Sequence, residues 1–490
     1  MTDLNPIARP YDDLLLRPCV VLAVSMMLVL SIINALAPYN SMPLGKGLLV
    51  LGFTGSLFLL SLQSLRYFLY MYIGGAVIQG LTFLVPPTAT EQKYFFSYFY
   101  LMFGSLKVYF TDYFLLIAAC IIPLQLLMHR DPSFCSKKKW HALNVCVAIF
   151  ISYGVIMALL SVSSFGKSAL GESRTILFAG LFFVAFLVFT SRIEILTFLR
   201  FFVFVTIVRT FVNTLTVILS PVYLSYQRPF GSNSDAAYCA ISLLLLIVLQ
   251  ENLIDNILAR RVSQFWLGIF PILITSRSTI LCLLITLLCY VIVTKTVSLK
   301  KALIWLAIAT MIAVVCIYII LSITALNDLF GFRFVSLFQR YQDDPTGNWR
   351  LLGWLFALES IMAHPFIGVG FGGYAERFIN GEWLKVSLHS AYLDYLYCTG
   401  LVGLSIFVTI IAIGITATIK KYNNLVEGID RRLILSVFLV LCYLALFIAL
   451  NAEMSYALTG TIMWIFLGMV PFLCKEDACS SEVHNDQKEG

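Results

Sequence analysis

Residues 433–450 read LILSVFLVLCYLALFIAL, a run without a single charged residue. About 20 consecutive apolar residues are enough for a helix to cross the hydrocarbon core of a bilayer. Similar runs recur along the chain, which has 490 residues and is 60% hydrophobic and only 12% charged. A soluble domain has roughly 45–50% apolar and about 25% charged residues. The composition therefore excludes an ordinary soluble domain and predicts an all-α, polytopic transmembrane helical bundle.

The apolar runs predict 12–14 spans, because three of the fourteen candidates are weak: 263–275 is short, and 46–63 and 67–85 are poorly separated. Residues 94–104 are aromatic, as is typical of a segment that lies along the membrane interface. The other candidate spans are 19–37, 108–128, 142–162, 174–190, 198–220, 235–250, 278–294, 302–324, 391–418, 433–450 and 455–474.

The basic residues predict the orientation of the spans. Cytoplasmic loops carry an excess of Lys and Arg, and with Arg9 and Arg17 placed inside, alternation puts each later basic cluster inside as well. Both termini are then cytoplasmic, and the net charge of +7 reflects loop asymmetry rather than nucleic-acid binding. The clusters are Arg66, Arg130 with Lys137, Lys138 and Lys139, Arg192 with Arg200, Arg260 with Arg261, Lys295 with Lys300 and Lys301, and Lys420 with Lys421, Arg431 and Arg432.

One long loop on the outer face, residues 325–390, divides the chain. We expect N-terminal membrane helices within 1–324, C-terminal membrane helices within 391–474, and a polar, disordered cytoplasmic tail at 475–490. A loop of this length should fold onto the membrane.

Two stretches of this loop, Phe332–Tyr341 and Trp349–Ala363, have the amphipathic pattern of helices that lie on a bilayer surface. Pro365 should end the second helix, and the glycines that follow, from Gly368 to Gly373, allow a tight turn.

Most of the twelve cysteines lie inside apolar runs, where they behave as small apolar residues. They lack the spacing of metal ligands. We therefore expect neither a metal nor another cofactor.

Three arginines in or beside the membrane are candidates for anion binding, because a charge there costs several kcal/mol unless it is paired or used. Arg209 stands within a span, while Arg228 and Arg277 stand at the outer face. Their guanidinium groups would suit a pyrophosphate, because each guanidinium can donate two parallel hydrogen bonds to two phosphate oxygens. The alternative is that each arginine pairs with a lipid phosphate or a neighbouring carboxylate.

Two of the five histidines, His364 and His389, fall on the outer side. His364 precedes a proline at a helix end, which favours a structural role. His389 precedes a new span at the height of the arginines, and a neutral imidazole there is suited to accept a proton from a sugar hydroxyl. Asp394 and Glu453 are candidates to orient that imidazole, and Glu453 could equally balance an arginine.

Four motifs follow one another along the chain. They comprise Arg228, Gly231 and Asn233, then Ser276 and Arg277, then Arg350, Trp354, His364, Pro365, Gly368 and Gly370, and finally His389, Tyr392, Leu393, Gly400, Leu401 and Gly403. With these motifs in this order, the chain resembles the O-antigen ligase and O-antigen (exopolysaccharide) polymerase superfamily of bacterial inner-membrane glycosyltransferases. One departure concerns the start of a helix, since the family's Asn-Pro-Asn is Asn233-Ser234-Asp235 here.

The resemblance implies a metal-independent, inverting transfer on the periplasmic side of the inner membrane. The donor would be a glycan on undecaprenyl diphosphate, and the acceptor another glycan or lipid A–core. Arg228 and Arg277, with Arg209, would hold the pyrophosphate, His389 would be the general base, and Arg350 would assist either substrate. Membrane lipids and a chain-length regulator are further candidate partners, and nucleic acid is not one.

Two reactions fit the family, and the sequence slightly favours repeat-unit polymerisation over ligation of finished polymer to lipid A–core. The alternative of another class is a lipid-linked oligosaccharide transporter. That class predicts charges through the membrane depth, broken helices at mid-bilayer and often repeat symmetry, whereas the charges here concentrate at the outer face. A purely structural membrane protein would leave the outer arginines and histidines unexplained.

Overall fold

The architecture is a bundle of long apolar helices. A computed structural model of the chain describes residues 66, 68–70, 72–74, 100–103, 106–109, 142–219, 231–274, 276–295, 345–373, 376–379, 382–385, 388–451 and 457–474. Within this part, seven helical segments are long and apolar enough to cross a membrane: Ala142–Phe165, Lys167–Val188, Arg192–Leu215, Asn233–Asn252, Arg277–Thr294, Ala391–Asn424 and Ile429–Leu450. The chain is a multi-pass membrane protein, and the predicted all-α class is confirmed.

The elements are numbered in chain order. The helices are α1 (Ala142–Phe165), α2 (Lys167–Glu172), α3 (Arg174–Phe178), α4 (Gly180–Val188), α5 (Arg192–Leu219), α6 (Asn233–Leu249), α7 (Ile257–Leu273), α8 (Arg277–Thr294), α9 (Pro345–Ala363), α10 (Ala391–Asn424), α11 (Ile429–Leu450) and α12 (Ala457–Leu473). Two antiparallel hairpins accompany them, β1 (Tyr100–Phe103) with β2 (Leu106–Tyr109) and β3 (Glu376–Ile379) with β4 (Glu382–Lys385).

Most predicted spans in the described part correspond to long helices, with four differences, of which the one within 391–418 is described further below. The run predicted at 174–190 is preceded by α2, and α2, α3 and α4 together form one segment. The weak candidate 263–275 lies mostly in α7, which has 17 residues and is not among the seven. The last candidate, 455–474, corresponds to the shorter α12.

The remaining candidate spans, 19–37, 46–63, 67–85, 108–128 and 302–324, lie wholly or mostly outside the described residues, so the predicted total of 12–14 stays a prediction. The aromatic segment 94–104 contributes strand β1, and the 108–128 run begins within β2. The amphipathic stretch Phe332–Tyr341 and both termini also lie outside the described residues.

Helix α11 packs against several other helices of the described part. They are α6, α8, α10 and α12, and the α11 residues from Leu433 to Leu441 are all buried. Trp464 of α12 is fully buried nearby, with its ring 5.5 Å from that of Phe150 and 6.2 Å from that of Phe407. Aromatic packing therefore joins α1, α10 and α12 in the core.

Ion pairs collect at one end of the bundle. Arg192 pairs with Asp430 at 2.9 Å, and Glu251 accepts from Arg432 at 2.8 Å and lies 3.7 Å from Arg260. Exposed pairs of this kind contribute at most about 1 kcal/mol each, but their positions show that basic residues from α5, α7 and α11 share one end. This arrangement agrees with the predicted alternation of the spans. The other end, where α6 and α8 begin, is called the outer end below.

Helix α10 is broken at Gly400, where φ is 66°. A straight helix would separate Tyr392 from Phe407 by about 22 Å along its axis, yet their ring centroids are 5.8 Å apart. The ring of Tyr395 is closer still, 4.4 Å from that of Phe407. The first half (391–399) is thus bent sharply towards the second half (401–424). The second half alone extends about 36 Å, enough to cross the bilayer, so the expected single span 391–418 is in fact divided.

Residues 364–373, which follow α9, are here called the His364 loop. They provide new hydrogen-bond partners for backbone groups of α10 that lose their helical partners at the break. As predicted, α9 ends just before Pro365, and the loop turns at glycines of positive φ. Three carbonyls before the break accept from outside the helix: that of Tyr397 from Val369 N at 2.8 Å, that of Cys398 from Gly370 N at 3.0 Å, and that of Thr399 from the Tyr153 hydroxyl at 2.9 Å. After the break, Leu401 N donates to Pro365 O at 2.8 Å and Val402 N to Phe366 O at 3.2 Å.

Two glycines make this contact possible. A Cβ at Gly400 would lie 2.2 Å from the carbonyl oxygen of Phe366, and one at Gly368 would lie 2.6 Å from Gly400 N. Both neighbours are backbone atoms, which cannot rotate away. The glycines of two separate sequence motifs are therefore required by one and the same contact.

We expect Gly400→Ala to destabilise the protein by more than about 2 kcal/mol, because the new methyl group would force the His364 loop from its hydrogen bonds and occupy a left-handed conformation. Thermal unfolding of the purified chain in detergent measures the effect. Gly180→Ala is the control, since a Cβ there meets nothing within 4 Å. Equal unfolding midpoints for the two variants would contradict the packing described above.

Candidate functional site

The deepest predicted site residue, Arg209, is paired with a carboxylate. Its Nε donates to Oδ1 of Asp235, and the two side chains are each 1% exposed. The other carboxylate oxygen of Asp235 accepts from the backbone N of Ser232 at 2.6 Å and from its hydroxyl at 2.8 Å. Both oxygens are therefore engaged, and the ion pair joins the outer parts of α5 and α6.

This pair also resolves the start of α6. Ser232 is the N-cap and Asp235 the third helical residue, and the two form a reciprocal capping box. The departure from Asn-Pro-Asn, which put this helix start in doubt, is thus a well-defined start of another type. Of the alternatives for Arg209, the structure shows pairing with a neighbouring carboxylate. Binding of the glycan donor's pyrophosphate by Arg209 stays a prediction.

Arg277 is the first residue of α8, and its side chain is exposed at the outer end. The residues on either side of it are fixed to different helices. The hydroxyl of Ser276 donates to Oδ1 of Asn233 at 3.0 Å, and that of Ser278 donates to Oδ1 of Asn451 at 3.3 Å. A helix N-terminus carries a partial positive charge. Arg277 therefore adds a full charge at a point that already favours an anion.

His389 adopts the left-handed conformation, with φ of 50°, directly before Ser390, the N-cap of α10. Its side chain is half-buried. The carbonyl of the preceding residue, Leu388, accepts from the indole Nε1 of Trp354 at 2.6 Å. A non-glycine residue in this conformation costs about 1–2 kcal/mol, and such strain collects at functional sites.

Helix α11 brings Arg277 and His389 into one region of the structure. The hydroxyl of Tyr392, three residues after His389, donates to the carbonyl of Ala445 at 3.1 Å. Asn451, which accepts from Ser278, follows directly after α11. These two contact points are about 9 Å apart along a helix axis. The beginning of α8, with Arg277, and the beginning of α10, with His389, therefore lie against the same outer part of α11.

The remaining predicted residues are less fully defined. Asp394 lies in the first turn of α10. Arg350 belongs to α9, but its side chain lies outside the described residues, as do Arg228 and Glu453. His364 has an exposed side chain and stands in the loop that packs on Gly400, and the structural role predicted for it stays a prediction.

Three contacts of the site were not predicted from the sequence. Asp235 as the partner of Arg209 had a signal, the Ser-x-x-Asp spacing of a capping box. The bonds from Trp354 to Leu388 and from Tyr392 to Ala445 join residues 34 and 53 positions apart, and local patterns carry no information about such pairs. In the part of the chain that the structure describes, no group of three His, Cys, Asp or Glu side chains could hold a metal ion.

Residues 262–408 match the family model described as O-antigen ligase. The match confirms the resemblance to the O-antigen ligase and polymerase superfamily. It covers less than a third of the chain and includes Arg277, Arg350, His389 and Asp394, whereas Arg209, Arg228 and Glu453 lie outside it. A comparison with curated proteins gave no match. The family implies activity of the O-antigen ligase or polymerase type on lipid-linked glycans.

We expect Arg209→Gln and Asp235→Asn each to destabilise the protein by about 3–5 kcal/mol, because each leaves one buried charge without its counter-charge. The double variant should be more stable than either single variant. Thermal unfolding in detergent, arranged as a double-mutant cycle, measures the coupling. Additive losses would show that the pair contributes no more than its separate side chains.

We expect His389→Gly to be more stable than His389→Ala by about 1 kcal/mol, since glycine adopts the left-handed conformation without steric cost and alanine does not. The comparison removes the imidazole in both variants and so isolates the backbone. Unfolding midpoints measured side by side test it, and a more stable alanine variant would show that residue 389 does not hold this conformation.

Proposed function

We propose that this protein is a periplasmic-face glycosyltransferase of the bacterial inner membrane. It moves a glycan from undecaprenyl diphosphate to a hydroxyl of an acceptor sugar. The observation that carries the proposal is the position of Arg277 and His389 against the same outer part of α11, both inside the segment that matches the O-antigen ligase family. The long loop 325–390, between the membrane helices within 1–324 and 391–474, supplies α9 and the His364 loop to this region.

In the proposed reaction, the neutral imidazole of His389 accepts the proton of the acceptor hydroxyl. The hydroxyl oxygen forms a bond to the anomeric carbon while the bond from that carbon to the diphosphate oxygen breaks, and the leaving diphosphate takes the electron pair. Attack opposite to the leaving group inverts the anomeric configuration.

Negative charge grows on the diphosphate as it leaves, and fixed positive charge stabilises it. Arg277 and the N-terminus of α8 supply such charge, and we propose Arg228 as the second guanidinium. The arginines thus take the part that a metal ion plays in other transferases. Arg209 is proposed to act indirectly, by holding the start of α6 through Asp235, and Arg350, Asp394 and Glu453 remain supporting candidates.

The favoured reaction is repeat-unit polymerisation, in which the acceptor is a second lipid-linked glycan. The description of the matching family as O-antigen ligase supports a second candidate, transfer of finished polymer to lipid A–core. A deletion strain distinguishes the two. Accumulated single-repeat lipid intermediates indicate the polymerase, and lipid-linked long polymer that is missing from lipid A indicates the ligase.

We expect His389→Ala and Arg277→Ala each to lower glycan transfer at least 100-fold in reconstituted membranes, because one removes the base and the other the charge at the leaving group. Arg277→Lys should recover only part of the activity, since an ammonium lacks the paired donors of a guanidinium. Gel analysis of lipid-linked glycans from the complemented deletion strain provides the measurement in cells.

His364→Ala is the matched control, because this histidine is also predicted to face outwards but stands in the His364 loop with an exposed side chain. It should keep transfer within about twofold of the wild type. Full transfer by His389→Ala would exclude the base assignment, and unchanged donor binding by Arg277→Ala would exclude its pyrophosphate role.

A further inference from the structure

The hydrogen bond between Trp354 and Leu388 joins the long loop to the residue before the candidate base. Trp354 lies in α9, and its indole N–H donates to the Leu388 carbonyl across 34 residues of sequence, at 2.6 Å. Leu388 is itself buried, in a small cluster with Ala357, Ile361 and Tyr397. A carbonyl in such apolar surroundings needs a donor, and Trp354 provides it.

This bond acts directly on the conformation of His389. The carbonyl of Leu388 and the amide N of His389 belong to one planar peptide unit, so a donor that holds the carbonyl also holds that amide. On the other side, Ser390 is fixed as the N-cap of α10, and its carbonyl accepts from Asp394 N at 2.9 Å. The rotations between these two fixed groups are φ and ψ of His389 and of Ser390, and the first of them, φ of His389, has the left-handed value of 50°.

We propose that Trp354 is a positioning residue for His389: its indole N–H fixes the Leu388–His389 peptide plane and so holds the imidazole in the direction required for proton transfer. The inference rests on the proposed role of His389 as general base. It assigns a function to α9 that an amphipathic helix on the membrane surface would not by itself have.

The first test is Trp354→Phe in the full chain, reconstituted with lipid-linked donor and acceptor. Phenylalanine retains an aromatic ring but has no donor. We expect kcat to fall by about tenfold, the scale of one lost hydrogen bond, while KM for donor and acceptor stays within twofold. An unchanged kcat, or a loss found only in KM, would overturn the inference.

Trp266→Phe is the matched control, because the Trp266 indole also donates one hydrogen bond, to the Thr210 hydroxyl at 2.8 Å. Both indoles are partly buried, but Trp266 lies on α7, away from the Leu388–His389 peptide. We expect a similar loss of stability with kcat within twofold of the wild type. A tenfold fall in kcat for both variants would mean that loss of any such bond lowers activity, and the inference would fail. If Trp354→Phe does not fold, Trp354→His, which keeps a ring N–H, replaces it. Its kcat is expected to lie less than tenfold below that of the wild type, and a tenfold or larger fall would overturn the inference.

A second test does not depend on activity. His389→Gly and His389→Ala are compared again in the Trp354→Phe background. If Trp354 holds the peptide plane, the difference between their unfolding midpoints should shrink by at least half, because the turn can then relax. An undiminished difference would overturn the inference. A diminished difference together with normal transfer by His389→Ala would support the hold on the turn and exclude the base, so the two failures are distinguishable.

Discussion

The rest of this structure depends on one requirement of the bilayer: a backbone N–H or C=O without a hydrogen bond costs several kcal/mol where no water can replace it. An unbroken helix meets that requirement by itself, but α10 is broken at Gly400. The His364 loop and the Tyr153 hydroxyl provide the missing donors and acceptors. These hydrogen bonds compensate for the break, so that it acts as a rigid joint between the outer region and the membrane helices. Gly368 and Gly400 allow the loop and helix backbones to come into contact.

That joint determines where the candidate site lies. Because the first half of α10 is bent towards the second, its N-terminus returns to the bundle, and Tyr392 reaches the carbonyl of Ala445 in α11. Asn451, just past the end of the same helix, accepts from Ser278 beside Arg277. A straight α10 would carry His389 away from these contacts. The bent helix therefore connects the fold to the chemistry proposed for it.

How much of the fold and of the candidate site could be predicted depends on whether the deciding pattern is local in the sequence. Long apolar runs such as 433–450 predict their helices because length and composition suffice, and Pro365 with its glycines predicts a turn for the same reason. The division of α10 was missed, since Gly400 stands in an apolar run where many helices continue through a glycine. The pair Arg209–Asp235 was also missed, because the buried arginine indicates a partner without indicating which one. The choice among partners is made by tertiary packing, which one sequence does not record.

The bent form of α10 has a consequence for membrane insertion. Its second half can enter the bilayer as an ordinary helix. Among the described residues, the backbone groups beside Gly400 that bond outside the helix find their partners in segments synthesised earlier, α1 and the His364 loop. The ribosome therefore completes α10 after every one of these partners already exists. The His364 loop and α10 therefore satisfy each other's polar backbone groups, and a chain truncated before α10 leaves those of the loop without these partners.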